Sequence, residues 1–183
     1  MNSRGTDVEV TLQATGLRWL AGDADAGEDQ CAHGLVRLDV GDLVLVGPED
    51  EEVTVSAAGL FLLRTLDADH LPGDLLTGGN QLFPCCGHLV IDDGSGGCFI
   101  SGCPMGVDMS VVTEGESVTL RRDTTIATTT RAQWREAVLG FARQIDAFYS
   151  RSVPRALPDD ESDAAGWRRF WKEWRSRVDA AGG

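Results

Sequence analysis

The chain has 183 residues and a net charge of −13, and a chain of that length buries about 70% of the surface its unfolded form exposes, so it needs neither disulfides nor metal simply to fold. The excess of acid disfavours nucleic acid and anionic membrane as ligands, because a phosphate surface repels it on approach. No run approaches the length of a bilayer span, and residues 1–8 are polar with no apolar segment behind them, so a cytoplasmic protein is expected.

Val8, Val10 and Leu12 alternate with polar residues, the period of a half-buried strand. Residues 21–30 form an acidic loop of small residues. Residues 35–40 and the apolar run 43–46 read as two strands, a hairpin turning near 39–42, and 49–52 is an acidic connection. Ser56 can cap a helix. Leu60, Phe61, Leu62, Leu63 and Leu66 carry that helix to about residue 70, where Pro72 stops it. Being apolar nearly all round, it should be the most buried helix. The Gly- and Asp-rich stretch 71–80 is a loop. Strands are expected at 88–92 and 98–101 around the turn 93–97, and at 107–113 and 117–121 around 114–116.

Two helices close the chain. Thr130 and Gln133 fit a capping box, and beyond it Trp134, Ala137, Val138, Phe141, Ile145 and Phe148 share one helical stripe. Pro154 and Pro158 mark a linker at 151–162. The last helix places Trp167, Phe170, Trp171, Trp174 and Val178 on one side, with Arg168, Arg169, Lys172 and Arg175 mostly opposite. Burying each aromatic is worth roughly 1.5–3 kcal/mol, so core packing is favoured over a membrane-facing role. The basic side can lie against the acidic front half. The expected architecture is a single α+β domain over 1–183, with a mainly antiparallel sheet of about six strands, one buried central helix and two C-terminal amphipathic helices on one face. Residues 1–6 are expected to be flexible and 180–183 frayed.

Four of the five cysteines and one of the three histidines lie between residues 85 and 103. Cys31-Ala32-His33 and Cys86-Gly87-His88 share a Cys-x-His spacing, and residues two apart on a strand project to one face. Were the segments neighbours, Cys31, His33, Cys86 and His88 would make a tetrahedral zinc site, with Cys85, Cys98 and Cys103 in reserve. Thiols packed beside glycines in a crowded interior are the commoner outcome. Cys86 or Cys85 beside His88 could instead form a thiolate–imidazolium pair, with Asp92, Asp93 or Asp108 as orienting group. Adjacent cysteines could also close a vicinal disulfide, although in a cytoplasmic chain free thiols are expected. Asp67, Asp69 and His70 offer ligand types at a helix end but read better as hydrogen-bonded loop residues. The glycine runs 78–79 and 94–97 lack the lysine and hydroxyl residue of a P-loop, and neither a nucleophile elbow nor a His-Glu-x-x-His helix occurs.

Charge supplies the other candidate surface. Between residues 21 and 53 ten acids face one base, Arg37. Asp23, Asp25, Glu28 and Asp29 in one loop, with Glu49, Asp50, Glu51 and Glu52 in the other, could keep the protein soluble or capture a basic protein surface. The phrases Phe83-Pro84-Cys85-Cys86-Gly87-His88, Gly102-Cys103-Pro104-Met105-Gly106-Val107-Asp108, Phe148-Tyr149-Ser150-Arg151-Ser152 and Phe170-Trp171-Lys172-Glu173-Trp174-Arg175-Ser176-Arg177 resemble a group of uncharacterised bacterial proteins of similar length, over about residues 31–178. That group carries no established activity and transfers no catalytic residue. In size and acidity the chain also resembles immunity proteins encoded beside polymorphic bacterial toxins. The expectation is a non-enzymatic protein that neutralises a basic toxin domain through its acidic loops, without cofactor. The alternative is a metal- or thiol-dependent enzyme centred on Cys86 and His88.

Overall fold

A computed structural model describes residues 8–22, 25–73, 81–85, 89–102 and 105–182. The expected flexible segment 1–6 lies outside them. The fold is α+β with antiparallel pairing, as expected, but among the described residues the strands divide into three sheets rather than one.

The first sheet runs in the order β1 (Val10–Arg18), β2 (His33–Val40), β3 (Leu43–Val46), with the two-residue β4 (Val53–Thr54) also on β2. The β2–β3 hairpin turns tightly, Val40 opposite Leu43, with Gly41 at φ +58°. β4 leads straight into α1 (Val55–Arg64). The expected cap, Ser56, is inside the helix, and Thr54 holds the cap position without capping an amide. Its hydroxyl faces His33 instead, at 3.3 Å. The helix also ends earlier than its apolar run suggested, at Arg64, because 65–68 tighten into turns closed by amides of Thr65, Leu66 and Asp67. All of α1 except Arg64 is buried, which makes it the central helix.

A hairpin of β5 (Leu89–Asp92) and β6 (Cys98–Ser101) follows, then a sheet of β7 (Ser110–Glu114), β8 (Ser117–Arg122) and β9 (Thr125–Thr130). β4 and β9 were not foreseen. The first is too short to show a period, and the second is a threonine-rich strand with a single large apolar residue, Ile126.

Thr130 ends β9 and begins α2 (Arg131–Arg151) with both halves of the capping box present. α2 packs on β1 and α1, while α3 (Glu161–Gly182) packs on β5 and β6. The two helices therefore cover different sheets. α3 keeps its helical form to Gly182, beyond the expected point of fraying. Trp134, Trp167, Phe170 and Trp174 are buried, in agreement with the packing reading of both aromatic stripes. Trp134 Nε1 donates to Thr65 Oγ1 at 2.9 Å, tying α2 to the end of α1. Two glycines let the helices close. A Cβ at Gly59 of α1 would stand 2.6 Å from the Trp174 ring, and one at Gly166 of α3 would overlap the Val90 carbonyl of β5.

Candidate functional site

His33 is 2% exposed, and both ring nitrogens have protein neighbours at hydrogen-bond distance: Nδ1 with Cys31 O at 2.9 Å and Nε2 with Thr54 Oγ1 at 3.3 Å. The imidazole thus pins β2 to the start of α1. Cys86, His88 and Cys103 lie outside the described residues. No cluster of three His, Cys, Asp or Glu suited to a metal ion occurs among the described residues.

Cys85 is disulfide-bonded, which corrects the expectation that the cysteines are all thiols. Cys31 and Cys98 are buried thiols. Burial pushes the Cys98 thiol up to about 12, although Arg64 beside it works in the opposite direction. At pH 8 an exposed thiol is partly ionised, so native Cys98 should react with iodoacetamide roughly a thousandfold more slowly. Mass spectrometry of alkylated native and urea-unfolded protein reads this directly, and prompt modification of native Cys98 would contradict it.

His70 and Asp108, 38 residues apart, form a pair that spacing did not reveal: His70 Nε2 to Asp108 Oδ1 at 2.8 Å. The same oxygen accepts from the amides of Met109 at 2.9 Å and Leu82 at 3.1 Å. Main-chain bridges between His70 and Val111 and between Phe83 and Val107 flank it. Asp108 thus joins the end of α1's loop to 81–85 and 107–111. Asp69 accepts from Thr113 N and Asp67 pairs with Arg177, so this helix end is the hydrogen-bonded loop that was expected.

The two acidic loops part company. Asp23 lies outside the described residues. Asp25 is 4% exposed and bound to Arg155 Nη1 at 2.5 Å. Burial would raise its carboxyl, but Arg155 and the amides of Asp29 and Gly27 outweigh that and hold it below the ordinary range. Asp29 accepts from the amides of Leu20 and Cys31. Arg155 also lies over the Trp19 ring, 4.0 Å from its centroid, and Gly27 O accepts from Ala156 N. Tyr149 Oη donates to Gln30 O at 2.6 Å. The loop is therefore a strap that fastens the α2–α3 linker to the first sheet. Asp25 and Asp29 are withdrawn from the outward patch, while Glu28 remains exposed. The arginine that takes up this acid comes from the linker; on α3, Arg168 pairs with Glu161 and Arg169 with Asp92 instead, and Arg177 pairs with Asp67 and Glu173.

The second loop behaves differently. Asp50 is 9% exposed and receives Arg122 through two bonds, Nη2 to Oδ1 at 2.5 Å and Nη1 to Oδ2 at 2.8 Å. Arg122 Nη1 also donates to Leu45 O at 2.7 Å. These bonds, with the Gly47 amide, hold the Asp50 carboxyl below its ordinary value against the effect of burial. Asp50 is thus an anchor and not part of the outward surface. Glu52 pairs with Arg18 at 2.6 Å in a partly exposed setting. Glu49 and Glu51 stay exposed and make no ion pair among the described residues.

The anchored loop faces Cys85 and residues 105–107 across a cleft of about 340 Å³, with Arg122 and Val53 in its lining. The 105–107 segment can lie so close because Gly106 has no Cβ: one would overlap the Phe83 carbonyl. Met105 is 67% exposed at this rim. The acidic loop thus meets Cys85 and residues 105–107, the described parts of two phrases that the sequence sets apart from it. Arg122, Met105 and Val107 were missed as members of it, and no spacing could have signalled them, since more than fifty residues separate them from the acids. Among the described residues no helix is long and apolar enough to cross a membrane. No protein-family model, curated protein or solved structure matches this chain, so the cleft's own geometry is what bears on function.

Proposed function

We propose that the protein is a non-enzymatic binding protein that captures a basic surface of a partner protein, and that the cleft between the 49–52 loop and residues 85 and 105–107 is the recognition surface. An immunity protein that neutralises a basic toxin domain is the instance favoured. The observation that carries this reading is the division of labour within four consecutive acids. Asp50 is locked to Arg122 and Glu52 to Arg18, which fixes the loop's course, while Glu49 and Glu51 stay exposed in the cleft's lining and form no ion pair among the described residues. A pre-ordered row of carboxylates lowers the entropy lost on binding and speeds encounter with a positive partner. Met105 beside it adds a flexible apolar contact that can adapt to a neighbouring side chain. A cytoplasmic site of action belongs to the same reading, and there the Cys85 disulfide would be open to reduction by the thiol pool.

The test uses a tetra-arginine peptide as probe, titrated calorimetrically at low and at physiological salt. Reversing charge with Glu49→Lys and Glu51→Lys together should weaken binding by about tenfold or more, and binding should fall as salt rises. Glu28→Lys, in the strap loop, should change it by less than about threefold. Equal losses at the two loops would show attraction by net charge alone and defeat the assignment of the cleft.

A further inference from the structure

The cleft beside the 49–52 loop has two kinds of wall. The acidic loop forms one, and Cys85, Met105 and Val107 form the other. Met105 is 67% exposed, and Cys85 and Val107 are half-buried, so apolar surface stands open on that side. The same surface is held in place. Phe83 and Val107 exchange two main-chain hydrogen bonds of 2.9 Å each, and Thr54 N, just past the acidic loop, donates to Pro84 O at 2.7 Å. Residues 83 and 84 thus join the two walls.

Size and charge narrow the choice of occupant. At about 340 Å³ the cleft is at the small end of ligand pockets, which run from about 300 to 1,000 Å³. An α-helix, about 10–12 Å across with its side chains, does not enter such a space, whereas one long side chain does. Four acids line the cleft, and Arg122 is the one base among the described lining residues. Its guanidinium is committed to Asp50 through two bonds and to Leu45 O through a third. Arg122 also attracts Glu49 without bonding to it. Glu52 is taken up by Arg18, and Glu49 and Glu51 form no ion pair among the described residues. One wall therefore calls for positive charge and the other for apolar contact. Lysine and arginine meet both demands, since they lay a methylene stem along apolar surface while the charged head stays near water. A purely apolar side chain would leave the carboxylates unanswered, and a short cation would leave Met105 uncovered.

We propose that the cleft is a pocket for a single lysine or arginine side chain of the partner, with its stem against Met105 and Val107 and its charged head at Glu49 and Glu51. This rests on the reading of the cleft as the recognition surface and adds the mode of recognition: insertion of one anchor residue instead of attraction between two charged faces. Anchors that fill pockets carry most of the binding energy at many interfaces, so one position of the partner dominates capture.

The probes are acetylated and amidated pentapeptides Gly-Gly-X-Gly-Gly in which X is lysine, ornithine or 2,4-diaminobutyrate, with norleucine as the uncharged control. The first three carry the same charge on progressively shorter stems. Titrations are followed by NMR at the Met105 methyl and the Val107 amide. A buried methylene is worth roughly three- to fourfold in affinity, so lysine should bind about tenfold more tightly than diaminobutyrate, which lacks two of them. Norleucine should bind at least about tenfold more weakly than lysine. Met105→Asn, at an exposed position that the fold does not depend on, should bring lysine and diaminobutyrate within about threefold of each other. Glu51→Gln should instead weaken both by similar factors. Equal affinity for the three cationic peptides would overturn the pocket, even where Glu49→Lys with Glu51→Lys still weakens tetra-arginine and so upholds capture by the loop's charge. Norleucine binding as tightly as lysine would overturn it too. So would the absence of any shift at Met105 and Val107, and if tetra-arginine also failed to bind, the reading of the cleft as a recognition surface would fall with it.

Discussion

Gly166→Ala is expected to cost at least about 4 kcal/mol and to leave little folded protein at 37 °C, in contrast to the usual gain from replacing a helical glycine. On helix propensity alone the substitution should stabilise α3 by about 1 kcal/mol. The outcome is decided instead by what the new methyl would meet. At Gly166 it overlaps the Val90 carbonyl oxygen, with the Val90 carbonyl carbon and the Ile91 nitrogen close behind. These are main-chain atoms of β5 and cannot swing aside as a side-chain tip can. To make room, α3 must lift from the β5–β6 hairpin, and Trp167 and Phe170, now 5% and 1% exposed, would lose part of their burial. Thermal unfolding followed by near-ultraviolet circular dichroism reads the tryptophan environment directly. A variant melting within a few degrees of the parent would show that the helix and hairpin can separate at little cost, contrary to this account.

Glu173→Ala is expected to cost about 3–5 kcal/mol, the range for removing one partner of a buried ion pair. Glu173 is 7% exposed and accepts from Arg64 Nε and Nη2 at 2.8 Å each, from Arg177 Nε at 2.8 Å and from Cys98 N at 3.0 Å. Arg64 Nη2 also reaches Cys98 O at 2.6 Å. One carboxylate therefore joins the end of α1, β6 and α3. Its loss strands a guanidinium that is mostly buried. Burial alone would raise the Glu173 carboxyl, yet the two arginines and the amide bring it from 4.5 down to about 2. A carboxyl held low in the folded state stabilises the fold above its ordinary value and loses that contribution as pH falls toward the folded one. The contribution is about 3 kcal/mol at neutral pH, and about 1.4 kcal/mol of it is gone by pH 3.5. Urea unfolding of the parent and of Glu173→Gln across pH 7 to 3.5 measures it: the gap between the two should narrow as acid is added. A constant gap would mean that the carboxylate's charge contributes nothing to the fold.

Gly166 and Glu173 both act through contacts between elements distant in the chain, which no local pattern of the sequence encodes. The periodic stripes of α2 and α3, the Thr130 capping box, the turn at 93–97 and the β2–β3 hairpin were all legible, because each is set by residues a few positions apart. The boundaries of α1 were less so. Thr54 begins it because its neighbours across the sheet are His33 and Pro84, and neither is visible in the local pattern. β9 escaped notice for lack of apolar alternation, and its place is given by pairing with β8.

The acidic loops show the same division at the level of the candidate site. Composition alone makes Asp25 and Glu51 look alike. One is sealed beneath Arg155, which lies 130 positions further along, and the other stands on the rim of a cleft. A side chain's charge is a property of its residue type, whereas its availability depends on which distant guanidinium the fold brings within bonding distance.

By itself, then, the sequence determined the class of fold, the helices with their buried faces, and the net negative charge, since these follow from short-range periodicity and from simple sums. Only the tertiary structure decided which carboxylates face outward, that His33 is engaged by its own protein, and that the 49–52 loop lies across a cleft from Cys85 and residues 105–107. Each of those depends on atoms brought together across the chain by packing, and the solvation and pairing of a polar group are fixed only when its final neighbours are in place.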